Sequence, residues 1–274
     1  MKDPEQIKEL EEQARQVRRD IIRMCLAGKS SHIGTALSAV DMLVVMYFNT
    51  LNVNPGEPQW PGRDRFILSK GHGGAALYAV LARRGFFPVA DLDGYCSDGS
   101  FMIGHCDRKV PGVEVSTGSL GHGLSIGVGM ALAARYDKAS SRVFVLLGDG
   151  ECDEGAVWEA AMSAGHFGLD GLTALVDHNK QQALGHVVDV MTLEPLAEKF
   201  KAFGWSVREI DGHDMREIVE VLDRTPFEKG RPSMIIANTV KGKGVSFMED
   251  ELLWHYKSLT EEEAGKALAE LERR

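Results

Sequence analysis

The chain has no apolar run approaching the roughly 20 residues a membrane-spanning helix needs. It is poor in cysteine. Its four cysteines, Cys25, Cys96, Cys106 and Cys152, form no CxxC pair, and no secretory apolar segment precedes them. That pattern reads as free thiols in a reducing cytoplasm. Positive charge is short as well: 31 basic against 40 acidic residues give a formal charge of −9. An acidic surface excludes nucleic acid and anionic membrane as partners, while a local positive pocket for phosphates stays compatible. Repeats, low-complexity tracts and linkers are absent, so residues 1–274 read as a single domain. That length suffices for a sizeable core.

Residues 5–26 carry apolar side chains at Ile7, Leu10, Ala14, Val17, Ile21 and Met24, which is helical spacing. Further helices are predicted over residues 36–49, 73–85, 130–136, 154–167, 195–203, 215–224 and 260–274, the last capped by Thr260. Short apolar runs predict strands at 66–69, 143–147, 172–177, 206–210 and 233–239. Residues 89–111 have no period and read as a functional loop, and 118–129 as a glycine-rich segment before a helix. Strands alternating with helices predict an α/β fold, a parallel sheet with helices on both faces.

The strand at 143–147 runs into Gly148-Asp149-Gly150, and Asn179 follows the next strand, thirty residues after Asp149. The C-terminal ends of neighbouring parallel strands face one crevice, so Asp149 and Asn179 converge there. A carboxylate and an amide oxygen are hard ligands suited to Mg²⁺ or Ca²⁺, with a diphosphate supplying the remaining oxygens. The flanking glycines let backbone amides approach phosphate.

Gly-Asp-Gly followed by Asn at this distance resembles the thiamine diphosphate signature. Ser31-His32-Ile33-Gly34, the stretch Asp64 to His72 (DRFILSKGH), Gly118-Ser119-Leu120-Gly121-His122-Gly123 and the stretch Gly148 to Gly155 (GDGECDEG) resemble, in order, segments of the transketolase family. The resemblance covers residues 21–255 and implies the thiamine-diphosphate-binding fold. It implies metal ligation by Asp149, Asn179 and the backbone oxygen of Gln181. It implies cofactor contacts from Lys70, His72, Gly118, Ser119, Leu120, Gly150, Glu151, Asn179 and Lys241. It places His32, His72, His105 and His255 around the reacting carbons, where neutral-pH imidazoles move protons and donate hydrogen bonds to sugar oxygens. Three positions depart from the common family pattern: Ser119, His122 and His178. They tune specificity or fill space.

The family's pyrimidine-binding and C-terminal domains have no counterpart in this chain. The resemblance therefore implies a partner chain carrying them, two of each chain in the assembly, and no turnover without it. The sequence ending in Leu271-Glu272-Arg273-Arg274 reads as a natural terminus; a truncated longer protein is the other reading. The activity implied is transfer of a two-carbon ketol unit from a ketose, or its phosphate, to an aldose. Rival readings keep the cofactor in a deoxyxylulose-phosphate synthase or 2-oxoacid dehydrogenase component, or make the chain a non-catalytic binding partner. A nucleotide-binding oxidoreductase would need GxGxxG after a strand, which is missing.

Overall fold

A computed structural model of the protein describes residues 3–273. The first helix, α1 (Pro4–Ala27), starts where expected. Asp3 caps it by accepting from the Glu5 amide, and Pro4 occupies the first turn, where its missing N–H costs nothing. The apolar positions named from spacing are its buried face. The helix expected over 36–49 is instead α2 (Ile33–Ser38) and α3 (Val40–Val45), followed by a wide turn over Met46–Thr50.

The chain continues through β1 (Arg65–Leu68), α4 (Gly74–Arg84), α5 (His122–Tyr136), β2 (Val143–Gly148) and α6 (Gly155–His166). There follow β3 (Leu172–His178), the single turn α7 (Val187–Val190), α8 (Leu196–Ala202), β4 (Ser206–Asp211), α9 (Met215–Asp223), β5 (Ser233–Asn238) and α10 (Glu261–Arg273). Gly85, in the left-handed region at φ 96°, stops α4, and Asp214 caps α9 by accepting from two backbone amides. Thr260 caps α10 in a reciprocal box with Glu263. The expected end of that helix at Arg274 lies outside the described residues.

α5 begins eight residues before the expected start. Gly123 and Gly127 read as loop residues, yet they serve close packing. A Cβ at Gly123 would lie 2.3 Å from the Ser69 hydroxyl, and one at Gly127 2.6 Å from Val145. Glycine costs helix propensity of about 1 kcal/mol and here lets the helix lie close to the sheet.

Among the described residues five strands form one parallel sheet in the order β1-β2-β3-β5-β4. Successive residues of β2 alternate between two cores. Phe144 and Leu146 join the cluster under α1–α4, α9 and α10; Val143, Val145 and Leu147 join the cluster under α5, α6 and α8. Helices thus cover both faces, as the continuous apolar strands require. No helix of the described residues is long and apolar enough to cross a membrane.

Candidate active site at the C-terminal edge of the sheet

Parallel strands place all their C-terminal ends at one edge, and four of the five contribute here. β1 leads into Ser69–His72, β2 into Asp149–Glu151, β3 into Asn179–Gln181 and β5 into Thr239–Lys241. Between them lies a cavity of about 290 Å³. His32, His72, His105, His255, Asp149, Gly150, Asn179, Gln181, Lys241, Gly118 and Leu120 are among the residues that line it.

The histidines arrive from four separate segments and cluster around His32. Its ring centroid lies 5.4 Å from that of His72, 5.8 Å from His105 and 5.2 Å from His255. His32 holds a left-handed backbone at φ 66°, a strained conformation for a side chain with a Cβ. Its amide donates to the His255 carbonyl at 3.1 Å, which docks the 252–255 turn onto the start of α2. His105 sits in the loop before α5. That loop is tied to the turn after β1 by Cys106 N–H to the Gly71 carbonyl and to α4 by the Tyr78 hydroxyl, which donates to the His105 carbonyl at 2.6 Å. Gly71 makes the contact possible: a Cβ there would come within 2.4 Å of Thr117.

Burial and neighbouring cations keep three of these imidazoles neutral. His72 is pushed down to about 2 by burial, then by the nearby Lys70 and, more weakly, by His32, His255 and Lys241. His255 is pushed down to about 3 by burial and Lys241, and His32 is lowered by burial and His105. Neutral imidazoles retain one donor and one acceptor each, the state that hydrogen-bonds hydroxyls.

Asp149 accepts from the Gly150 amide at 2.7 Å and the Lys180 amide at 2.5 Å, so it grips the loop after β3. Burial, with Asp177 nearby, pushes its carboxyl up to about 7. The Asn179 side-chain oxygen accepts from the Gln181 amide at 3.2 Å. The Gln181 carbonyl receives the Lys241 ammonium at 3.3 Å, and the buried Gln181 Oε1 has no partner. Asp149, Asn179 and Gln181 thus present hard oxygens at one edge of the cavity, a set that can hold a divalent cation sharing oxygens with a phosphate. Clustering of three or more His, Cys, Asp or Glu side chains around a metal position does not occur among the described residues.

Several expected site residues stand elsewhere. Lys70 is 1% exposed and is not part of the cavity lining. Its ammonium pairs with the buried Asp177 carboxylate and donates to the Thr35 carbonyl at 3.0 Å. Asp177 also accepts from Ser38 at 2.6 Å and from the Thr239 hydroxyl. Ser119 is exposed and outside the lining. Glu151 borders the cavity, but its carboxylate is taken by the Ser69 hydroxyl and the amides of Gly121 (2.8 Å) and Gly148 (3.0 Å). It ties β1, β2 and α5 together. Thr35, Gln182 and Ala183 line the cavity and carried no sequence signal. Asp177 was legible only as the end of a strand.

Three comparisons bear on this geometry. Residues 8–271 match the family described as "Transketolase, thiamine diphosphate binding domain". The chain is 48% identical over 243 residues, 88% of each chain, to the 6-deoxy-6-sulfo-D-fructose transketolase subunit SqwG of Clostridium sp. (strain MSTE9). It is 41% identical over 269 residues, 98% of this chain and 96% of the other, to one subunit of the apulose-4-phosphate transketolase of Phocaeicola vulgatus. The crystal structure of transketolase from Campylobacter jejuni superposes with a TM-score of 0.91 at 32% identity, covering 99% of this chain and 43% of that one. The chain therefore spans less than half the length of that transketolase.

Proposed function

This chain belongs to the transketolase family, and from that premise we propose that it is the diphosphate-binding subunit of a two-chain, thiamine-diphosphate-dependent transketolase. The observation that carries this reading is the convergence of four histidines and one Asp-Asn-carbonyl set on a single cavity. The two similar-length relatives reported above are named as transketolase subunits, and those names support a complementary second chain for this one. We read that chain as carrying the pyrimidine-binding domain, with two copies of each, and residues 1–274 as a single domain. The free thiols of all four cysteines support a cytoplasmic setting.

Asp149, Asn179 and the Gln181 carbonyl would hold Mg²⁺, or Ca²⁺, against the cofactor diphosphate. The raised Asp149 carboxyl supports that fit, since a bound cation would favour its charged form. Gly150 would place a backbone amide near phosphate. A Cβ there would strike Gln182 at 2.8 Å. The Lys241 ammonium, 3.0 Å from His255 Nδ1, would neutralise part of the diphosphate charge. Thiamine diphosphate, when bound, supplies the electron sink for breaking and forming the carbon–carbon bond. His32, His105 and His255 would bind sugar hydroxyls and shuttle their protons, and His72 would hold its place through Thr35, 3.5 Å away.

The test is ketol transfer with thiamine diphosphate and Mg²⁺, for this chain alone and with its candidate partner chain. The donor panel holds xylulose 5-phosphate, 6-deoxy-6-sulfofructose and apulose 4-phosphate, the last two suggested by the relatives' names. Activity only in the mixture, lost in Asp149→Ala, is the expected result. Turnover by the isolated chain would sink the split-enzyme reading.

A further inference from the structure

Behind the loop that carries Lys241, away from the cavity lining, lies a chain of polar side chains that the proposed reaction does not use: Arg18 and Asp41 are buried and His213 is half-buried, and all three line a second pocket. Arg18 on α1 grips the Asp41 carboxylate of α3 with both guanidinium nitrogens, at 2.9 and 2.6 Å. The same carboxylate meets His213 Nδ1 at 2.8 Å. Burial alone would raise the Asp41 carboxyl, but Arg18 and His213 outweigh it and hold it down at about 2. The other ring nitrogen, His213 Nε2, lies 2.8 Å from the Val240 amide. A backbone N–H can only donate, so Nε2 offers its lone pair and Nδ1 carries the proton towards Asp41. Arg18 Nε donates to the Lys243 carbonyl at 3.1 Å. One network thus holds the backbone on both sides of Lys241.

The loop needs such anchors. Gly242 and Gly244 hold left-handed conformations at φ 81° and 99°, so the segment has much conformational freedom to lose. Lys241 is 2% exposed, and burial lowers its ammonium to about 8. A long side chain carrying a desolvated charge is driven towards water unless its backbone is held. His213 itself is seated by close packing. Gly212 donates to the Asn238 carbonyl at 2.8 Å, and a Cβ on it would lie 2.5 Å from the Thr239 methyl.

We infer that His213 is a positioning residue: with Asp41 and Arg18 it fixes the 240–243 backbone and so delivers the Lys241 ammonium to the cavity. The consequence for diphosphate neutralisation rests on the function proposed above; the placement of Lys241 does not.

The test is acetylation of the full chain by an N-hydroxysuccinimide ester at neutral pH, with the rate at each lysine read by mass spectrometry. In the native protein both Lys241 and Lys70 react slowly, because both are buried. In His213→Ala, Lys241 is expected to react about tenfold faster, the effect of losing one anchoring hydrogen bond on local opening, while Lys70 stays slow. His213→Gln, whose amide can accept from Val240 and donate to Asp41, is expected to restore the slow rate. Asp41→Asn gives an independent variant with the same selective acceleration expected. An unchanged Lys241 rate in His213→Ala and Asp41→Asn overturns the inference. So does equal acceleration of Lys70, which means general loosening, or a Gln variant as reactive as the Ala variant. Labelling reads the placement of Lys241 alone, so its failure is separable from failure of the ketol-transfer assay.

Discussion

Replacing His72 by Gln should flatten the acid sensitivity of the cofactor-free chain. In the unfolded chain an imidazole titrates near 6.5, while burial and the neighbouring Lys70 hold His72 down at about 2 in the folded protein. Between these values the unfolded chain binds a proton that the folded chain refuses. Stability is therefore lost as pH falls through that window, and it is fully present above 6.5. Each pH unit inside the window costs about 1.4 kcal/mol, so moving from about pH 7.5 to about pH 5 costs about 2 kcal/mol through His72. Any folded value below about 4 leads to the same figure, so the result does not hang on the size of the shift. Against a total stability of about 5–15 kcal/mol, this is readily measured. The assay is urea unfolding followed by circular dichroism, for native and His72→Gln chains at both pH values without cofactor or metal. The stability difference between the two proteins should change by about 2 kcal/mol between the two pH values. Curves that stay parallel within about 0.5 kcal/mol would refute the claim that His72 is held neutral by its surroundings.

Asp149→Asn should show the opposite slope under the same conditions. Its carboxyl is raised to about 7 by burial and Asp177, so the folded chain keeps a proton that the unfolded chain has released, and this contribution disappears as pH rises through 7. The native chain should accordingly lose about 2–3 kcal/mol relative to the Asn variant between about pH 5 and pH 8, and a pH-independent difference would contradict it. Lys70→Met leaves the fully buried Asp177 carboxylate without its cation and should cost about 3–5 kcal/mol in thermal unfolding, largely recovered by adding Asp177→Asn. A loss under about 1 kcal/mol would show that the pair does not neutralise that carboxylate.

The helix and strand pattern was legible because burial imposes a period. The inward face of α1 and the unbroken apolar runs of β2 and β3 say which residues meet a core. The start of α5 was not legible, since Gly123 and Gly127 look like loop residues until the sheet they approach is in view. Long-range partners left no local trace at all. Lys70 carries a motif-like setting in the sequence, but its buried carboxylate partner lies 107 residues away on β3. His213 and Arg18 reach the Lys241 loop from two other elements.

The residue types of the site, and through the order of strands and helices the edge of the sheet where they gather, follow from the amino-acid sequence. Parallel β–α alternation leaves no other place for the ends of β1, β2, β3 and β5. Tertiary structure alone decided which of those residues face the cavity and which brace it from behind. Side-chain direction and protonation depend on neighbours brought together across the whole chain. His32, His72 and His255 are neutral because they are buried against one another and two lysines. Lys70, Glu151 and His213 turn inward because their partners are buried there.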